Sequence, residues 1–215
     1  EAEERLRGIA DFYLEHDREI NLRADDSLAV VQAGGPQLWR RARGYAPNAV
    51  LAPRPLRRAV LAMGAELKNA VAVGLDDRVV LSPHVGDIET PEALDGLERA
   101  ARTLPRFLAC RPEAVAVDLH PDMQATRLGR RLAGELGLPV VEVQHHHAHA
   151  AAALAEHGLE EGLALVMDGT GLGPDGAVWG AELLLVRPGG YRRLATFAPV
   201  PLPGGDAAVR RPARQ

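Results

Sequence analysis

The chain has 215 residues, 47% hydrophobic and 25% charged, a composition that suits one large or two small packed domains and argues against disorder. A net charge of −4 and a pI near 6.1 exclude a general basic face for nucleic acid or an anionic membrane. Cys110 is the only cysteine, so neither a disulfide framework nor a cysteine-based zinc site is available, and no apolar run reaches the length of a membrane span.

The start carries no secretion signal, and a soluble cytoplasmic protein is expected. Apolar spacing at Leu6, Ile9, Tyr13 and Leu14 predicts a helix over 3–14. Residues 28–32 read as a short strand closed by Gly34-Gly35-Pro36, and Trp39 reads as a packing residue. Residues 1–52 are too small to hold a core alone, and the prolines at 53 and 55 mark 53–57 as a linker. Strands follow at 59–65, 69–73 and 78–82, the last two joined by a turn at Asp76-Asp77. Thr90 caps a helix running to about 109, with Pro91 in its first turn. Then come a strand at 114–119, a helix at 125–136 stopped by Gly137, a strand at 140–144 and a histidine-rich helix stopped by Gly158. Three strands followed by alternating helices and strands is the order of a ribonuclease-H-like unit, spanning 58–160. Strands at 163–168, 178–187 and 191–200 start a second such unit over 161–215. Two such units make the α/β actin-like ATPase fold, with the second unit unfinished at Gln215, so the chain reads as a fragment, inactive by itself.

Polar clusters fall where the strands of an α/β sheet end, the usual place for a ligand. Gly64-Ala65-Glu66-Leu67-Lys68-Asn69 contains the only lysine among 25 basic residues. A compact ammonium suits phosphate oxygens, although a chance surface lysine fits as well. Asp118-Leu119-His120-Pro121-Asp122 ends the fourth strand. Asp168-Gly169-Thr170-Gly171 ends the sixth, where glycines let a backbone approach a ligand and Asp168 and Asp175 can face a metal or its water. Ser82-Pro83-His84-Val85-Gly86-Asp87 is either a turn or a site loop. The densest cluster is Val143-Gln144-His145-His146-His147-Ala148-His149, holding four of eight histidines. Positions four apart share a helix face, so His145 and His149 can present two imidazoles to one transition metal. The alternative is a fortuitous polar helix start. Trp179 reads as packing, His157 as favourable charge at a helix end, and Cys110 lacks a neighbouring base.

The 143–149 motif, Asp168-Gly169-Thr170-Gly171 with Asp175-Gly176 and Trp179-Gly180, Asp118-Leu119-His120-Pro121 and the Lys68 loop together resemble the HypF family of hydrogenase maturation carbamoyltransferases. His84-Val85-Gly86-Asp87, Leu202-Pro203-Gly204-Gly205-Asp206, His16-Asp17-Arg18, Arg23, Asp25-Asp26-Ser27 and Arg40-Arg41-Ala42-Arg43-Gly44-Tyr45 agree with it in order. The sequence departs from the family pattern at Pro83, Met123, Ala125-Thr126 and Ala181. The resemblance implies the end of a YrdC-like domain over 1–52 and the first half of a Kae-like domain after it. It implies an ATP-dependent enzyme, with Mg2+, that turns carbamoyl phosphate into carbamoyl-adenylate. The carbamoyl group then passes to the C-terminal cysteine of HypE, for the cyanide ligand of [NiFe]-hydrogenase. His145 and His149 would hold iron or zinc, with a further carboxylate expected beyond Gln215. Lys68, Asp168, Gly169, Thr170 and Gly171 would face the adenylate phosphate and carbamoyl group, with Lys68 and Asp168 catalytic. Carbamoyltransferases of antibiotic biosynthesis, which act on hydroxyls, share the histidine pair. A non-catalytic nucleotide- and metal-binding actin-like module is the remaining alternative.

Overall fold

A computed structural model describes residues 2–18, 25–32 and 34–201. Arg23 and the 202–206 motif lie outside the described residues.

The first elements are a short helix α1 (Ala2–Leu6) and a hairpin of β1 (Leu28–Gln32) and β2 (Gly35–Arg40). The helix expected over 3–14 stops after Leu6. Ile9, Phe12 and Leu14 stand exposed, so the periodic apolar stripe finds no surface to bury against among the described residues. Gly35-Pro36 opens a second strand rather than closing the first, and Trp39 is 73% exposed on it instead of packed. Ser27 ties this hairpin to the following segment, donating from Oγ to the Arg43 carbonyl and accepting from the Ala42 amide.

A six-stranded sheet follows, built from β3 (Ala49–Leu51), β4 (Val60–Ala62), β5 (Ala72–Leu75), β6 (Arg78–Leu81), β7 (Ala114–Asp118) and β8 (Val140–Val143). Its order is β3-β6-β5-β4-β7-β8. The β6-β5-β4 pairs are antiparallel and the β4-β7-β8 pairs parallel, which is the ribonuclease-H-like arrangement predicted from element order. β3 adds an edge strand from residues before position 52, and Leu56 lies over Gly74, where a Cβ would come within 2.6 Å of its Cδ1. The 53–57 segment is thus laid against the sheet.

Strand alternation sets the core. Leu61, Met63, Val71, Val73, Val80, Val115 and Val117 point to one face. Helices α2 (Pro91–Phe107) and α3 (Gln124–Leu136) cover it with Leu97, Leu104, Leu128 and Leu132. Thr90 accepts from the Ala93 amide as the N-cap of α2, and Gly137 ends α3 in the left-handed region. Gly129 permits the close approach of α3, because a Cβ there would meet Val117 Cγ1 at 2.5 Å.

Helix α4 (His145–Glu156) leaves β8 and packs on a second sheet of β9 (Gly162–Leu172), β10 (Val178–Arg187) and β11 (Gly190–Thr196), in the order β11-β10-β9. Ala150 of α4 meets Val166, Trp179, Leu184 and Val186 there. The sixth expected strand does not end at Asp168. Its ladder breaks and resumes, since Ala181 pairs with Met167 but Trp179 with Gly171, so residues 168–170 bulge opposite Gly180.

Candidate metal and phosphate site

Parallel strands bring the site together. Asp118 ends β7 in register with Val143 of β8, two residues before His145. Gln144 caps α4 by accepting from the His147 amide, which fixes the first helical turn. From the other sheet, alternation along β9 puts Asp168 on the same face as Ala164 and Val166, the face that packs on α4, and the bulge that follows turns Gly171 toward that helix as well.

His145 Nδ1 lies 2.7 Å from Asp118 Oδ2, while Asp118 Oδ1 accepts from the His120 amide at 2.8 Å. Asp118 is buried, and its hydrogen bond is the main reason the His145 pKa is raised, with Asp168 adding to it against the opposing effect of burial. With the ring proton on Nδ1, Nε2 presents a lone pair. That atom is 3.0 Å from Asp168 Oδ2 and 3.3 Å from His149 Nε2, and His149 Nε2 is 4.0 Å from the same oxygen. Burial, and then the neighbouring His145, hold the His149 pKa down.

Three groups that can each donate an electron pair therefore converge, with Asp168 placed to pair with a protonated His145 or to share a cation with it. Asp168 Oδ2 is a buried oxygen without a hydrogen-bond partner among the described residues. Such a group requires a proton or a cation. His145, His149 and Asp168 form a three-donor group, and the edges of a tetrahedron with metal–ligand bonds of about 2.0–2.1 Å are roughly 3.3 Å. The donor set fits a transition metal, and Asp118 is the outer carboxylate that would orient His145.

The other residues singled out from the sequence fall differently. Lys68 is exposed on the turn between β4 and β5, with φ at +50°, and its amide donates to Asp87 Oδ1 at 2.7 Å. Among the described residues its ammonium makes no ion pair and does not touch the three donors. Next to it, Asn69 is buried and donates to the Met63 and Ala65 carbonyls, while Glu66 accepts from the Ala125 amide at the start of α3. His84 has its pKa lowered by burial and by the positive charge of Arg40. Gly169 and Thr170 are exposed, and the Gly169 amide donates to Asp168 Oδ1. Gly171 instead faces protein, since a Cβ there would meet the His146 ring at 2.6 Å.

Sequence reasoning missed three groups. Asp118 was legible only as one of several polar residues at a strand end, not as the partner of His145. His146 is fully buried, with Nε2 2.6 Å from the Gly180 carbonyl oxygen. Glu182 is fully buried in β10, held by Arg193 Nε at 2.6 Å and Nη2 at 2.7 Å, with Arg193 stacked 4.2 Å over Trp179. A glutamate inside the apolar run from 181 to 186 was its only sequence signal.

Comparison with known proteins agrees with this architecture. The family description "HypF Kae1-like domain" matches residues 55–156, and "Carbamoyltransferase, Kae1-like Domain, second subdomain" matches 164–215. The chain is 49% identical to carbamoyltransferase HypF2 of Cupriavidus necator, over 100% of this chain and 27% of that protein. It is 40% identical to carbamoyltransferase HypF of Synechocystis, over 98% of this chain and 27% of that protein. A crystal structure of full-length HypF in the phosphate- and nucleotide-bound form superposes with a TM-score of 0.87 at 38% identity, covering 97% of this chain and 27% of that one. The structure of T. kodakarensis HypF gives a TM-score of 0.82 at 36% identity, covering 89% and 25%. The chain spans about a quarter of the length of these relatives. With both family descriptions matching in order, the ribonuclease-H-like sheet in place and whole-chain likeness to HypF proteins, the chain belongs to the HypF family and carries its Kae1-like domain.

Proposed function

We propose that this chain is the metal-bearing part of an ATP-dependent carbamoyltransferase of [NiFe]-hydrogenase maturation. In the proposed overall reaction water cleaves carbamoyl phosphate to carbamate and inorganic phosphate, and a carbamate oxygen then attacks the α-phosphorus of ATP to give carbamoyl-adenylate and release pyrophosphate, with Mg2+ accompanying the nucleotide. The carbamoyl group is then handed to the C-terminal cysteine of HypE. Residues 1–52 are the end of a YrdC-like domain in this reading. The observation that carries it is the convergence of His145, His149 and Asp168 beside the exposed Gly169-Thr170 bulge, in a chain whose relatives are named carbamoyltransferases.

Iron or zinc held by His145, His149 and Asp168 would supply Lewis-acid polarisation of an oxygen at the carbamoyl group. The protein's own part is orientation. Asp118 holds His145 in the tautomer that exposes Nε2, and the Gln144 cap fixes the helix turn that carries it. In the transfer step, the acceptor sulfur forms a bond to the carbamoyl carbon as the bond from that carbon to the adenylate oxygen breaks, releasing AMP. Lys68 and the amides near Gly169 would face the leaving phosphate, where donors stabilise developing negative charge.

The test incubates the full-length protein with labelled carbamoyl phosphate, ATP and HypE and follows label into protein. AMP, pyrophosphate and a carboxamide on the HypE cysteine are expected, and His145→Ala, His149→Ala and Asp168→Ala should each abolish the transfer and lower metal content, unlike His147→Ala. Label on a small-molecule hydroxyl instead would favour an O-carbamoyltransferase, and nucleotide bound but never cleaved would favour a non-catalytic module.

A further inference from the structure

We propose that His146 is a positioning residue that sets the register between the two sheets, and through it the distance from His145 and His149 to Asp168. This rests on the metal reading of those three residues. The donors come from different layers, two from α4 and one from β9, so their spacing depends on how the helix start sits on the β9–β10 hairpin. His146 is fully buried, and both ring nitrogens are engaged. Its Nε2–H donates to the Gly180 carbonyl at 2.6 Å, and its Nδ1 lies 3.1 Å from Gln144 Nε2, which also donates to the Leu172 carbonyl at 3.3 Å. One side-chain pair thereby grips β10 at Gly180 and β9 at Leu172.

The surrounding backbone is shaped to receive the ring. Gly171 leaves the space that a Cβ would occupy at 2.6 Å from His146 Cε1, and the β9 bulge leaves the Gly180 carbonyl outside the regular ladder with Ala181 and Trp179 on either side. Gly180 is fixed in turn, its amide donating to the buried Glu182 at 3.3 Å. The same bulge carries Asp168, so the contact that seats His146 lies three residues along β9 from the third donor. With its Nε2 committed to a carbonyl and its ring inside the protein, His146 is no ligand. Its work is to stop the helix sliding along the hairpin, a motion that would separate the donors without unfolding either sheet.

The discriminating variants use amide length. In glutamine the Nε2 reaches about as far as the imidazole Nε2 and can donate to Gly180, whereas the asparagine amide reaches only the position of Nδ1. Cobalt(II) is titrated into the full chain well below its thermal midpoint, and the affinity and visible d–d spectrum are recorded. His146→Asn should weaken cobalt binding about 10–100-fold and alter the spectrum, as loss of an outer support does. His146→Gln should recover most of the affinity at a thermal midpoint no higher than that of His146→Asn. A second measurement needs no variant: 15N spectra of histidine-labelled wild type should show two rings shifting on zinc addition while the His146 Nε2–H persists. Equal cobalt affinity in wild type, His146→Asn and His146→Gln overturns the proposal, as does loss of that Nε2–H on zinc binding. If wild type binds neither metal, the metal reading itself fails and this proposal falls with it.

Discussion

Removing Arg193 tests the energetics of the second sheet. Glu182 is fully buried, and Arg193 supplies two hydrogen bonds to it, leaving, among the described residues, the Thr196 hydroxyl and the Gly180 amide as partners once the guanidinium is gone. Burial by itself pushes the Glu182 pKa up, but Arg193 and Thr196 outweigh it and the net shift is downward. Stability from this group is therefore fully present above the ordinary glutamate range and is lost as pH falls through the lowered folded value. In Arg193→Ala the sign reverses, because the orphaned carboxylate is better off protonated. Breaking a buried pair by removing one partner costs about 3–5 kcal/mol. Protonation caps that loss, since neutralising a carboxyl of reference pKa about 4.3 at pH 7 costs roughly 3.7 kcal/mol. Arg193 is 31% exposed, so water entering its place brings the expectation down to about 2–3 kcal/mol. At pH 5 neutralisation costs only about 1 kcal/mol, and the penalty should shrink accordingly. Urea unfolding followed by Trp179 fluorescence in a Trp39→Phe background measures both values. Glu182→Gln added to Arg193→Ala should recover stability at pH 7. A loss below about 1 kcal/mol at pH 7, or the same loss at both pH values, would refute the reasoning.

Three further outcomes are expected. Asp118→Asn should weaken metal binding about 10–100-fold while leaving the fold intact, read by metal titration and circular dichroism, because the carboxylate holds the His145 ring by Nδ1. Gly129→Ala should destabilise the first sheet by about 1–3 kcal/mol in urea unfolding, since the new methyl group meets Val117 and Met63 at 2.5 and 2.8 Å. Lys68→Arg should leave unfolding unchanged, its side chain being exposed, yet slow carbamoyl transfer in the full-length enzyme; an unchanged rate would remove Lys68 from the phosphate site.

Much of the fold was legible because local signals agreed with one another. Thr90 before Pro91, Gly137 after an amphipathic stretch and alternating apolar residues at Leu61, Met63, Val71 and Val73 each declare an element within a few residues. Their order was enough to predict the ribonuclease-H-like unit. The His145–His149 pair was readable for the same reason, since a helix relates positions four apart wherever it sits. Signals failed where an apolar stripe had no partner, as at Ile9 and Phe12, and where a glycine pair opened a hairpin rather than closing a strand, as at Gly34-Gly35.

Helix periodicity and strand alternation are properties of consecutive residues, so the sequence by itself determined most elements from position 59 onward, their order and the facing histidines, while β2 and β3 went unread. Only the tertiary structure decided which long-range partners meet them. Asp118 lies 27 residues from His145 in the chain and reaches it because β7 and β8 run parallel and end together. Asp168 meets the histidines because α4 packs across the hairpin on the face of β9 that carries Ala164, Val166 and Asp168. His146 and Gly180, 34 residues apart, and Glu182 with Arg193 are likewise joined by packing and strand pairing. No local pattern encodes those distances, because each depends on how separate elements are laid against one another.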